Sequence, residues 1–220
     1  RCRQHRRHRR ARLMEGIRAT GSASVHALAA SLQSPTWYLV RNALNLLGEL
    51  GDAGLLDEVL QCFAHTDGRV RRAAVRAAWK LGGPASEQAL LKLLPATDAE
   101  TQMEVLFALG QISSVGCIPT LAAFLQDRRF PDRLRHKAIE VLGQIGHPAG
   151  VGPLAELLKR KGFAIFSSPV EAQDIRLSAA RALTAMEHPE ALAALRRAVE
   201  AEPRGPDRIA LELILNAGKR

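Results

Sequence analysis

The side chains from which metal sites and acid–base pairs are built are present but dispersed. Seven histidines stand at 5, 8, 26, 65, 136, 147 and 188, and three cysteines are Cys2, Cys62 and Cys117. The cysteines are odd in number and far apart, which suits neither a zinc site nor a disulfide framework and fits a reducing, cytoplasmic setting. None of the histidines is followed by Glu, and no Gly-rich phosphate loop or nucleophile elbow occurs. His147 and His188 each precede a proline, Pro148 and Pro189, where they read as helix caps rather than ligands. The expectation is a non-enzymatic chain with no catalytic residue, no metal, no cofactor and no small-molecule substrate.

Charge offers more. The chain has 220 residues and a formal net charge of +9. Residues 1–18 hold eight arginines, among them Arg3, Arg6, Arg7, Arg9, Arg10 and Arg12, against one acid, Glu15. The basic character thus belongs to an N-terminal arm, which reads as a nucleic-acid contact, as a segment lying on anionic lipid, or as a solvated helix end. The chain opens Arg1-Cys2-Arg3 without an initiator Met, as expected of a piece of a longer protein, and an upstream anchor would make it membrane-proximal. No window approaches eighteen uninterrupted apolar residues.

The elements that must position these groups follow from a repeat. The window Val70–Gly82 recurs from Leu39, Thr101, Leu134 and Ile175, closing at Gly51, Gly82, Ser113, Gly146 and Glu187. Apolar or small residues return four, four and three positions apart, as in Val70, Ala74, Ala78 and Leu81, which keeps them on one helical face. A second helix in each unit aligns Val59, Leu90, Leu121, Leu154 and Leu195, followed by Cys62, Leu93, Phe124, Leu157 and Ala198. Ser34-Pro35 reads as the start of the helix holding Trp37, and Pro84, Pro148 and Pro189 open second helices, where their missing N–H costs nothing. Ile209, Leu213 and Ala217 are expected to begin one more first helix. A unit of about thirty residues that recurs with insertions is a stack of supersecondary units.

The unit, with its Asp67-x-x-Val70-Arg71-x-x-Ala74 opening and Leu-Gly close, resembles the HEAT repeat, specifically the short bacterial HEAT-like kind. The resemblance implies an all-α fold, a right-handed α-α superhelix of about six helical hairpins. Residues 1–18 form the arm or a degenerate helix and 19–220 a single solenoid, with units near 1–34, 35–66, 67–97, 98–129, 130–170 and 171–204, and a partial one at 205–220. In such repeats Asp67, Asp132 and Asp174 with Arg71, Arg135 and Arg176 bond across the turn and between units, so Arg71 is expected to pair with Asp67. The inner face, with Asp57, Glu58, Gln61, Lys92, Glu156 and Arg197, carries mixed charge. That argues against a DNA-glycosylase relative, and the paired His-Glu motifs of di-iron HEAT-repeat hydroxylases are absent. HEAT-like bilin lyases have no compact motif to test.

The expected function is therefore a scaffold that holds another protein on its curved surface. Specificity is assigned to the longest break in the repeat, residues 159–174, which joins Lys159, Arg160 and Lys161 to Phe163, Ile165 and Phe166. These side chains either meet the partner or fold back as a plug. Trp79, standing where other units have Gly48, Gly110 and Gly143, either fills a gap or projects as an exposed anchor. The alternatives are nucleic-acid or anionic-membrane binding through the arm and, third, a HEAT-like lyase or DNA-glycosylase enzyme.

Overall fold

The computed structural model describes residues 22–127, 129–159 and 169–218, with Gly16 before them. Every regular element among the described residues is helical. The chain divides into two compact units, Arg1–Ala108 and Leu109–Arg220. The first holds α1 (Ser22–Ser31), α2 (Trp37–Leu50), α3 (Leu56–Gln61), α4 (Gly68–Leu81) and α5 (Gly83–Leu93), and α6 (Ala99–Ile112) crosses the boundary. The second continues with α7 (Ile118–Gln126), α8 (Asp132–Ile145), α9 (Val151–Leu158), α10 (Pro169–Ala185), α11 (Pro189–Ala201) and α12 (Pro206–Ala217). Even-numbered helices from α2 onward are first helices of repeats, and the odd-numbered ones after them are second helices.

Helices end where the repeat says they should. Gly51, Gly82, Ser113, Gly146 and Glu187 all have positive φ, between 51° and 76°. A left-handed residue just past the last turn lets its N–H return to a helical carbonyl, as Gly51 does to Leu47 and Gly146 to Leu142. Second helices start on caps: His147 Nδ1 accepts from the Ala149 N–H and His188 Nδ1 from the Glu190 N–H. α2 begins two residues later than Ser34-Pro35 implies; its N-cap is Thr36, and Ser34 Oγ accepts the Thr36 N–H in the preceding turn.

The core lies between helix layers within each unit. Val59 and Leu90 in the first, and Leu121, Leu154 and Leu195 in the second, are wholly buried. First helices pack on one another through small residues, α2 on α4 and α8 on α10. A Cβ on Gly48 would sit 2.9 Å from Ala77 Cα, and one on Gly143 3.0 Å from Ala182 Cβ, so any larger side chain would push these helices apart. Ser86 Oγ donates to Ala78 O at 2.6 Å, tying α5 to the end of α4.

Two apolar assignments need correction. Leu39 is 46% exposed and its neighbour Val40 fully buried, so the first site of α2 is Val40, shifted by one residue. In α12, Ile209 and Leu213 are 58% and 66% exposed, while Leu211 and Leu215 are buried. Only one face of α12 meets described helices, α10 and α11, and that contact selects Leu211 and Leu215. Among the described residues no helix is long and apolar enough to cross a membrane.

Candidate functional site

The second residue of four of the five aligned first-helix windows does one recurring job; the fifth window has Val40, which carries no side-chain donor. A helix ends with carbonyls that lack intrahelical partners, and in those four windows this residue reaches back to those of the preceding second helix. Arg71 Nη1 donates to His65 O at 2.6 Å and Thr66 O at 2.9 Å. Gln102 Nε2 donates to Leu94 O at 2.9 Å, Arg135 Nη2 to Asp127 O at 2.8 Å, and Arg176 Nε to Leu158 O at 2.9 Å. Gln102 stands where an Arg recurs and fills the role with a neutral amide.

The acid that Arg71 pairs with is not the one the short spacing suggests, whereas Arg135 does pair with Asp132 just upstream. Asp67 caps α4 by accepting the Arg69 N–H at 2.8 Å and pairs with the Arg69 side chain at 2.6 Å. Arg71 pairs instead with Asp98, 27 residues on, at 2.6 Å. The Asp67–Arg71 pairing is thus corrected: the carboxylate at the cap is taken up by its own first turn, and the arginine turns toward the neighbouring repeat. Hydrogen bonds from Arg69 hold the Asp67 carboxyl well below the usual range. Partial burial pushes the Asp98 carboxyl up, but bonds from the Thr101 hydroxyl and Arg71 outweigh it and leave it well below that range. Asp127 is held down to about 2 by Arg129.

In the second unit the same device is buried. Arg135, 2% exposed, pairs with Asp132. Arg176 is 2% and Glu202 4% exposed, and the Arg176 Nη2 group donates to the Glu202 carboxylate. Arg176 Nη1 has no hydrogen-bond acceptor among the described residues; its nearest anion is Asp207, at 3.8 Å. Beside this pair α9 and α11 leave a half-open cavity of about 540 Å³. Its walls are Gly152, Ala155, Leu158, Ala194, Ala198 and Ala201, with Glu156, Lys159 and Arg197 around them and Arg176 and Glu202 completing the lining.

Of the residues picked out from sequence, the structure brings Lys159, Glu156, Arg197 and Arg176 to this one cavity. Lys159 is exposed and paired with Glu156. Arg160, Lys161, Phe163, Ile165 and Phe166 lie outside the described residues, as do Arg3, Arg6, Arg7, Arg9, Arg10 and Arg12 of the arm. Trp79 is half-buried, with its Nε1 shut off from solvent and without a hydrogen-bond partner among the described residues. Glu202 was missed from sequence, although a signal existed. It follows Arg176 by 26 residues, close to the 27 that separate Arg71 from Asp98 and the 28 between Arg76 and its partner Glu104. Among the described residues no three or more His, Cys, Asp or Glu side chains are placed to hold a metal ion, so these residues do not fit the metal centre of a di-iron hydroxylase.

Comparison with known proteins gives the repeats a family. The model of HEAT repeats matches residues 25–100 and 87–168, and that of the PBS lyase HEAT-like repeat matches 175–201. Deoxyhypusine hydroxylase from Gallus gallus is 38% identical over 68 residues, covering 31% of this chain and 23% of that protein. The Homo sapiens enzyme is 35% identical over 80 residues, 36% of this chain and 25% of that protein. The chain therefore spans about a quarter of the length of these relatives. Among solved structures, an engineered protein superposes with a TM-score of 0.52 at 22% identity, covering 88% of this chain and 97% of that one. A designed armadillo repeat protein in complex with peptide (KR)4 gives 0.50 at 18%, covering 87% and 98%. At that identity these two speak for the fold alone.

The expectation of a non-enzymatic protein-binding scaffold is overturned by the hydroxylase relatives, which are enzymes. The error has a physical source: a helical repeat stack is a way of building surface, and the same stack carries enzymes as readily as scaffolds. The HEAT-repeat matches cover more than half of the chain, which belongs to the HEAT-repeat family.

Proposed function

We propose that this chain forms substrate-holding repeats of an enzyme of the deoxyhypusine hydroxylase kind. The observation that carries this reading is the shared name of the matched relatives from chicken and human, at 38% and 35% identity. Because the described residues offer no metal-ligand cluster, the reading gives them recognition of the substrate protein and derives no chemical step from them. The test is affinity for an acceptor protein bearing deoxyhypusine against the same protein bearing unmodified lysine, measured by calorimetry on the 220-residue chain. At least tenfold preference for the modified form is expected; equal affinities reject the reading.

A second enzymatic reading has its own support. The PBS lyase HEAT-like repeat model matches residues 175–201, which include Arg176 and much of the α11 wall of the cavity. A lyase of that kind would shift bilin absorbance when the chain is mixed with bilin and an apoprotein acceptor. An unchanged spectrum dismisses it.

A further inference from the structure

First helices stack on one another through a row of residues that can be followed from repeat to repeat. Burial sets its register: the residues three and seven after Arg71 are Ala74 and Ala78, and those after Arg176 are Ala179 and Leu183, all fully buried. In α12 the buried pair is Leu211 and Leu215, which makes Arg208 the counterpart of these arginines. Its Nη1 donates to Glu202 O at 3.5 Å, six residues back, as Arg71 donates to His65 O. The row that faces the next first helix then lies one, five and eight residues after the arginine. Gly48 lies against Ala77 and Gly143 against Ala182, Arg76 pairs with Glu104, and His136 Nδ1 is 2.9 Å from Ser178 Oγ. In α12 the same places hold Ile209, Leu213 and Asn216. Ile209 and Leu213 are 58% and 66% exposed, the most of any large apolar side chain among the described residues.

Two observations say what fits this open row. The interface that it continues is filled elsewhere by another first helix, α4 on α2 and α10 on α8. The row also matches its own copy. Ile209, Leu213 and the exposed Ala217 stand four apart and form one ridge of the helix. Laid antiparallel on a second α12 with a twofold axis at Leu213, Ile209 falls on the small Ala217 of the other copy and Leu213 on its counterpart. Twofold pairing sets a patch against itself, which disfavours a row carrying charge, such as the one with Arg76. The three charges of α12 are taken up within the chain: Asp207 lies 3.8 Å from Arg176, and Arg208 pairs with Glu212 at 2.8 Å.

We propose that α12 binds α12 of a second copy of this chain, antiparallel, through Ile209, Leu213 and Ala217. The interface is independent of the hydroxylase reading, since it concerns association of two copies and its test uses no substrate.

Sedimentation velocity of the full chain over a concentration series is the test, and a dimer that dissociates on dilution is expected. Leu213→Glu and Leu213→Lys each set like charges against each other across the axis, so both are monomeric where the parent is dimeric. The exposure of this side chain leaves the helical signal of both variants unchanged. Mixed in equal amounts, the two variants form a heterodimer, because opposite charges then meet. A parent that stays monomeric up to its solubility limit, a Leu213→Glu chain that dimerises like the parent, or variants that stay apart when mixed overturns the proposal.

Discussion

Arg71 and Arg176 occupy the same place in two repeats and do the same thing to the backbone, yet they sit in different dielectric surroundings. Arg71 and its partner Asp98 have side chains 21% and 39% exposed, while Arg176 and Glu202 are at 2% and 4%. Water screens the first pair, and an exposed pair of this sort contributes at most about 1 kcal/mol. The second pair was desolvated on folding, so each charge depends on the other. The comparison teaches that a repeat can keep its geometry while changing the energetics completely.

The contrast can be broken most sharply at Glu202. We predict that Glu202→Gln destabilises the chain by about 3–5 kcal/mol, because it removes the nearer of the two carboxylates at the buried Arg176 and leaves only Asp207 at 3.8 Å. Replacing both partners with apolar residues, Arg176→Met with Glu202→Leu, should recover most of that loss. Urea denaturation midpoints would decide; a small effect of the single variant would mean that solvent reaches Arg176.

Gln102 occupies the middle ground, since it performs the same carbonyl contact without charge and is buried. Gln102→Leu should cost about 1–3 kcal/mol by leaving Leu94 O without its donor. A neutral result would show that the backbone contact, shared by four of the five repeats, is dispensable.

The smallest effect belongs to the exposed pair, where Asp98→Asn should cost under about 1 kcal/mol at neutral pH. Its signature is pH dependence. The folded carboxyl titrates below its unfolded value of about 3.9, so the unfolded chain takes up the proton first and the contribution is present above that value. As pH falls below about 4 the contribution is progressively lost. Melting temperatures of the parent and Asp98→Asn should therefore converge in acid; a gap that persists below pH 2 would move the interaction away from the carboxylate.

The repeat made much of this readable in advance. Left-handed closure at Ser113 and Glu187, residues that do not ordinarily adopt it, follows only from their register with Gly51, Gly82 and Gly146. The buried Leu and Val of the second helices were legible for the same reason, because five copies vote on each position. Arg135 pairs with Asp132 as its spacing suggests, but the partners of Arg71 and Arg176 were not legible, since distance along the chain favours Asp67 for Arg71, whereas the real acid lies one repeat further on. Leu39 and Val40 could not be told apart by type, both being apolar, and packing chose between them. The cavity escaped notice because alanine at position 198 looks like ordinary helix composition until it is set beside its counterparts Cys62, Leu93, Phe124 and Leu157.

The bond from Arg176 to Leu158 O joins residues 18 apart across the longest insertion. It ties the start of the last full repeat directly to the end of α9. Each doubling of a connecting length costs only about 0.6 kcal/mol in closure entropy. The clamp thus makes this junction a tolerant place to graft new sequence without rebuilding the stack.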